Sequence, residues 1–504
     1  MPSSALQYCY ISTLLEDDAN YCKRIFPTAT VFQYDYLNDD INTLIHPDLL
    51  SHGVVPIMPK QLIEDLANPK IKWIIFINPP FATSNNANKE TGKQSKYNVS
   101  MTKIRQVMTQ DGLGETSREL FAQYLYRIYK EFKGKTAYLG LFSKLKYLSS
   151  NNDQKLRDNV FKYEFKNGFM FSSEYFYGSK GKFPIGFLVW DLSKQVPLES
   201  QKIVVDVFGK YEGTEGKYGV KQIQAENRDV YLSKWVNRPK AQHIMPPFSS
   251  AVSIGKNMTD TRNRVSDGFL CSLMCGGNDF QHQNSTALLS GPYVSAGAFS
   301  VTAENFTKSM IIHTVRRLPL ADWTNDRDQF YQPSTNDLSE DFIIDCVIWS
   351  AFSDSNNTVS MKDVNYNGKT YQIINNLYPY TLSMVKSWKC HLDNIELQII
   401  SANEDRFLAN WLLDKTLSTE SQKVFNLGKQ IYEMFYENVH NIHWGIYKIG
   451  FWDVGWWQVR QSLKEVKNSM NLLENLKFVH NELGAKLLLK IKHYGFIREN
   501  VTPL

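Results

Sequence analysis

The sequence is short of cysteine, of long apolar runs and of excess charge, and each shortage removes a class of protein. Six cysteines (Cys9, Cys22, Cys271, Cys275, Cys346 and Cys390) are scattered through 504 residues. Spacing that wide makes no disulfide framework, so free thiols in a reducing cytosol are expected. No apolar run approaches the roughly 18 residues of a membrane span. The opening Met-Pro-Ser-Ser-Ala-Leu lacks the basic and then apolar pattern of a secretory leader. The expectation is a cytoplasmic protein with no membrane partner. A formal net charge of +5 tolerates a polyanionic partner without demanding one, because nucleic-acid binding needs a local patch more than a global excess. Internal repeats and low-complexity tracts are missing too. What is there is length, which implies two or three domains.

The first 80 residues alternate between β-rich runs and helical stretches. Residues 7–13 and 30–34 read as strands, 17–25 and 60–67 as helices, and 72–77 (KWIIFI) as a near-continuous apolar strand. Such runs suit strands buried on both faces of a parallel sheet, and the alternation points to a doubly wound α/β domain. Residues 84–100 are polar and Asn-rich, which predicts a mobile surface loop. A helix is expected over 116–132, with Leu120, Tyr124, Ile128 and Phe132 four apart, and later strands over 137–141, 183–190 and 203–208. Beyond about Lys240 the chain reads as loop-rich, then largely helical over the last 120 residues, notably 426–436 and 457–493.

One tetrapeptide carries chemistry. Asn78-Pro79-Pro80-Phe81 directly follows the apolar run, where α/β sheets place their ligands. An aromatic amine is a poor nucleophile because its lone pair is delocalised into the ring. The Asn78 side-chain oxygen and the Pro79 carbonyl can each accept one N–H bond from it. The nitrogen then turns tetrahedral, with its lone pair directed at an electrophile. The prolines stiffen the turn and bring no competing N–H. Phe81 offers a flat face for a base extruded from a duplex. The bland alternative is a proline-rich strand-to-loop turn.

The tetrapeptide resembles the Asp/Asn/Ser-Pro-Pro-Tyr/Phe/Trp motif of methyltransferases that act on exocyclic or amide nitrogens. Phe32-Gln33-Tyr34-Asp35-Tyr36-Leu37 resembles a further motif of the N6-adenine DNA methyltransferases. The resemblance implies that Asp35 bonds the adenine amino group of S-adenosylmethionine. Read from the residues alone, Asp35 could equally be a turn or helix-cap aspartate. Glu16 stands where the family keeps an acid for the ribose hydroxyls, although Asp17 and Asp18 compete for that place, and all three could be helix N-terminal acids. Residues 114–121 and 141–144 resemble the helix and strand that follow the motif in type I and related enzymes. Residues 183–190 resemble the region supplying a second aromatic wall for the flipped base, a place for Phe183 or Phe187, which could also be plain core aromatics. The resemblance covers roughly residues 7–195.

The implied fold is a Rossmann-like, S-adenosylmethionine-dependent methyltransferase domain over 1–205, a linker or strand pair over 206–245, and a mixed, largely helical target-recognition region over 246–504. The chain departs from the family at one point. No Phe-x-Gly-x-Gly turn precedes Asn78, and Gly112-Leu113-Gly114 comes after it, where it reads as a helix entry. The catalytic domain is thus expected to be N-terminally incomplete, starting at the family's second strand. A second polypeptide supplying the glycine turn, a truncated reading frame, or a fold kept without activity would each account for that. A sheet without its central strand would leave two unpaired edges.

The resemblance implies double-stranded DNA as partner, within a restriction-modification system. Candidate DNA contacts are Arg316, Arg317 and residues 323–330, with the aromatic stretch 451–460 beside them. Core packing is the plainer reading of both stretches. Cys271, Cys275 and His282 lack a second ligand pair, so no metal is expected. Protein glutamine-N5 or cytosine-N4 methylation, and a non-catalytic or split DNA-binding subunit, remain as alternatives.

Overall fold

Strand β1 (Tyr10–Thr13) leads through helix α1 (Glu16–Ile25) to strand β2 (Thr30–Gln33). β1 and β2 lie parallel, with Tyr10 opposite Thr30 and Thr13 opposite Gln33. Helices α2 (Ile41–Ile45) and α3 (Lys60–Ala67) precede strand β3 (Trp73–Ile77); helices α4 (Lys103–Gln110) and α5 (Leu120–Phe132) follow it. Then come β4 (Ala137–Lys144), β5 (Tyr163–Ser172), β6 (Pro184–Gln195), β7 (Ile203–Tyr211) and β8 (Thr214–Ile223). This is a computed structural model, and it describes residues 3–45, 54–80, 101–175, 182–211, 214–388 and 405–503.

The strands from β3 onward form one seven-stranded sheet in the order β3, β4, β6, β5, β7, β8 and a last strand, Val501–Pro503. It is mixed: β3 and β4 are parallel, β6 runs against both β4 and β5, and β7 runs parallel to β5. The protein is therefore a mixed α/β molecule. β5 escapes the sequence patterns because its alternation breaks at Lys166-Asn167-Gly168, where the pairing with β6 shifts register.

One face of this sheet is a dry core. Leu139, Leu141, Leu188, Trp190, Met170 and Val207 have no exposed surface, and α5 packs over them with Leu125, Tyr126 and Ile128. Helix α5 also reaches the earlier strands. Its last residue, Phe132, meets Trp73 at the start of β3 with ring centroids 5.6 Å apart. Near its beginning, Tyr124 stacks on Tyr36, just past the end of β2, at 5.4 Å. α5 thus touches the start of β3 and the turn that follows β2.

The other face is open. The expectation that the 72–77 run is buried on both sides does not hold, because its burial alternates. Ile74 is 83% and Phe76 67% exposed. Among the described residues no element of the first unit covers them. Covering either side chain would contribute about 1.5–3 kcal/mol.

The chain divides into two units. The first takes Met1–Arg228, Asp322–Asp328 and Glu499–Leu504; the second takes Asp229–Ala321 and Gln329–Arg498. In the second unit a four-stranded sheet built on Cys271–Cys275 packs with helices Phe306–Arg317, Glu340–Ala351, Thr419–Glu437 and Ser469–His493. The first two of these helices fall in the stretch expected to be loop-rich. They are buried nearly all round, so neither shows the one-sided stripe that marks a surface helix.

Candidate functional site

Asn78 is the first residue past β3, one position beyond the Ile77–Leu141 pair. Pro79 and Pro80 cannot donate to a ladder, so the chain leaves the sheet here, at the carboxyl end of a strand with a parallel neighbour. Asn78 and Pro80 are exposed and Pro79 is buried. Phe81 and the loop expected over 84–100 lie outside the described residues.

Asp35 lies two residues past the carboxyl end of β2. Its carboxylate organises a turn: Oδ1 accepts the Leu37 N–H at 3.0 Å and Oδ2 accepts the Asn38 amide at 2.7 Å. The cap role weighed from the sequence is thus real. Each oxygen keeps a second lone pair, so the turn does not bar Asp35 from accepting a ligand N–H. Burial, and then the charge of Asp35, raise the Tyr124 hydroxyl above its usual range.

This turn is held by a pair the sequence reading missed. Arg127, on α5, has no exposed side-chain surface and bonds Glu131 at 2.7 Å. Its guanidinium donates to the Tyr36 carbonyl, to the Asp39 carbonyl at 2.9 Å and to the Tyr34 hydroxyl. It lies over the Tyr36 ring at 4.3 Å, and the Tyr36 hydroxyl donates to Glu131 at 2.5 Å. Their i,i+4 spacing on a helix that also carries Gln123 and Lys130 is one that surface pairs share, so the sequence alone did not mark them as buried.

Glu16 opens α1, three residues past β1, and is exposed with Asp17 and Asp18 in the same turn. Glu16, Asp35 and Asn78 therefore follow the carboxyl ends of β1, β2 and β3. Phe183 immediately precedes β6, which runs against β4, so it falls at the same edge; Lys144, the last residue of β4, lies 5.0 Å from its ring centroid. Phe187 lies elsewhere, inside the open sheet face, with its ring 4.6 Å from Phe142 and 5.6 Å from Phe76.

The candidate DNA contacts of the later chain are mostly structural. Arg316 is buried and donates to the carbonyls of Gly277 at 2.6 Å and Gly276 at 2.8 Å and to the Thr286 hydroxyl at 2.9 Å. Arg317 donates to the Asn284 side chain at 3.0 Å. Trp323 packs against the core of the first unit, and Phe330 stacks on Phe280 at 4.4 Å in the second. Trp452 and Trp456 are core residues, and Arg460 lies 5.9 Å from the Trp456 ring centroid. Cys271 and Cys275 are buried, burial pushes the Cys271 thiol up, and the His282 ring bonds Asp279 at 2.5 Å. Among the described residues no group of three or more histidines, cysteines or carboxylates is placed to hold a metal. Nor is any described helix long and apolar enough to cross a membrane. Gly112 and Gly114 both have positive φ and end α4, where the Leu113 N–H reaches back to the Met108 carbonyl at 3.0 Å. Comparison with known proteins finds no family model and no curated sequence that matches the chain.

Proposed function

We propose that the chain is the catalytic part of an S-adenosylmethionine-dependent DNA adenine-N6 methyltransferase of a restriction-modification system, with a Rossmann-like catalytic domain. The observation that carries this reading is Asn78-Pro79-Pro80 at the carboxyl end of β3, beside the parallel β4. In it, Asn78 Oδ1 and the Pro79 carbonyl each accept one N–H bond of the adenine amine. Pro80 stiffens the turn, and Phe81 and Phe183 enclose the extruded base.

The donor set suits part of the cofactor. S-adenosylmethionine, when bound, supplies an electrophilic methyl group. Asp35 would accept the N–H of its adenine and Glu16 its ribose hydroxyls, two carboxylates at the ends of adjacent parallel strands. No residues here suit its methionine end: Gly53 is the one glycine before Asn78. We therefore assign the methionine end to protein outside these 504 residues, and the isolated chain should bind S-adenosylmethionine weakly in calorimetry. Tight binding by the chain alone would refute that assignment.

The activity itself is tested by methyl transfer from labelled S-adenosylmethionine to duplex DNA in the assembled system. Asn78→Ala should lower the rate at least about 100-fold, the scale of a lost transition-state hydrogen-bonding group. An unchanged rate would refute the assignment, and label appearing in protein instead of DNA would move it to an amide substrate.

A further inference from the structure

The net charge of the chain is local. Residues 230–266 hold six lysines and arginines (Lys234, Arg238, Lys240, Lys256, Arg262 and Arg264) and one acid, Asp260. The stretch therefore carries a formal +5, equal to the excess of the whole chain. Its acid is already taken, since Arg262 donates to Asp260 at 2.7 Å. Lys234, Arg238, Lys240 and Lys256 are exposed, and Arg264 is half-buried. The whole stretch lies in the second unit.

Folding links most of these charges. Strands His243–Ile244 and Arg264–Val265 pair antiparallel, and the Arg264 guanidinium donates to the Gln242 carbonyl at 2.9 Å. Beside them the Ser266 N–H donates at 3.0 Å to the hydroxyl of Ser300, on strand Ala298–Val301. Arg238 stands over Phe299 of that strand, 4.8 Å from its ring centroid, with one N–H reaching the Cys275 sulfur at 3.8 Å. Asn305, just before helix Phe306–Arg317, donates to the Asn237 carbonyl at 3.0 Å. In the first turn of that helix, Lys308 donates to the Trp235 carbonyl at 3.3 Å and lies 4.9 Å from the Trp235 ring centroid. Lys234, Arg238, Lys240, Arg264 and Lys308 thus belong to one run of bonded segments. Among the described residues none of the five has a carboxylate partner. The acids on the same segments are Asp267, bonded by the His243 ring, and the exposed Glu304. By contrast, on the long helices of this unit Lys486 pairs with Asp345 at 2.9 Å and Lys423 with Glu482 at 3.6 Å.

Cations without counter-charges repel one another, and an anion that spans several of them offsets this. A phosphate backbone is such an anion. The rings beneath Arg238 and Lys308 steady both cations. Phe299 is buried and Trp235 half-buried, so neither ring is left as the platform on which a single strand stacks its bases. Exposed side-chain amides at Asn237 and Gln242 stand among the cations, groups suited to base edges in a groove. Across residues 234–266 the one large apolar side chain that is strongly exposed is Ile244, at 44%, too little to enter a membrane surface. We infer that this face of the second unit holds the phosphate backbone of duplex DNA through Lys234, Arg238, Lys240, Arg264 and Lys308. The inference rests on the methyl-transfer reading for what the DNA is held for, and on charge for where it is held.

Anisotropy of a fluorescent duplex of about 30 base pairs, titrated with the full chain at several salt concentrations, tests this. Each phosphate contact adds about 0.9 to the slope of log affinity against log salt. Lys240→Gln, Arg264→Gln and Lys308→Gln together should lower that slope by about 2–3 and weaken binding at least about tenfold near 0.1 M salt. The charge-keeping set Lys240→Arg, Arg264→Lys and Lys308→Arg should retain the slope, which separates lost charge from a damaged fold. Lys423→Gln with Lys429→Gln, on helix Thr419–Glu437, should leave it unchanged. An unchanged slope in the neutral set, a lost slope in the charge-keeping set, or tighter binding of a single strand of equal length would each overturn the inference. So would binding to phosphatidylserine vesicles but not to the duplex. A lowered slope in the neutral set, with no N6-methyladenine formed by the assembled system, would keep the face and refute the methyl-transfer reading. Methylation by a neutral set that binds DNA as the parent does would do the reverse.

Discussion

Arg127 carries a charge with no exposed surface, and its partners define what its loss would do. Truncation to Ala strands the Glu131 carboxylate and removes three donors from the turn that carries Asp35. Uncompensated buried charge costs about 3–5 kcal/mol, so urea unfolding of the first unit should show a loss of that size; a loss below about 1 kcal/mol would contradict the geometry. His313 offers a pH test. Its ring bonds the hydroxyls of Ser350 and Ser355, each at 2.9 Å, and burial first, then the charge of Arg317, push it from 6.5 down to about 3. Between those values the unfolded chain holds a proton that the folded chain refuses. The neutral ring's contribution is therefore whole above pH 6.5 and is lost as pH falls toward 3. At pH 5 the loss is about 2 kcal/mol. His313→Gln should flatten the stability profile between pH 7 and 5; a profile parallel to the parent's would contradict this. Neither residue announces itself in the sequence. A lone histidine in a helix and an i,i+4 ion pair have surface explanations that only burial removes, whereas Asn78 is legible because two prolines after an apolar strand leave little else for the chain to do.

Elements were legible where one period dominated. α5 and β4 follow from their spacing, but β5 does not, since a bulge interrupts it, and the fully buried helices Phe306–Arg317 and Glu340–Ala351 show no stripe. β3 was legible as a strand and misleading as to its surroundings, because an apolar run does not reveal how many of its faces are covered. Phe76→Ser should consequently change stability by no more than about 0.5 kcal/mol; a loss of several kcal/mol would mean that Phe76 is packed. The far edge of the sheet is held differently. Lys221 on β8 donates to the Thr324 carbonyl at 2.8 Å, to Asp328 at 2.6 Å and to Asn500 at 2.9 Å. These bonds fasten residues 322–328 and the last strand, which is why Trp323 and its neighbours belong to the first unit. Lys221→Met should cost about 1–3 kcal/mol and speed amide exchange in β8 and Val501–Pro503. Unchanged exchange there would show that the strand holds without it.

For the whole molecule, a mixed α/β unit with Asn78-Pro79-Pro80 at a strand end and a second unit rich in buried helices are in view. The mixed strand directions and the return of residues 322–328 and 499–504 to the first unit were beyond sequence patterns, because they depend on contacts between residues hundreds of positions apart. The central claim concerns chemistry at Asn78. Its most direct measurement is nucleoside mass spectrometry of DNA incubated with S-adenosylmethionine and this chain in the assembled system. The account requires N6-methyladenine from the parent protein and its loss with Asn78→Ala. N6-methyladenine at equal levels from both, or from neither, would contradict it.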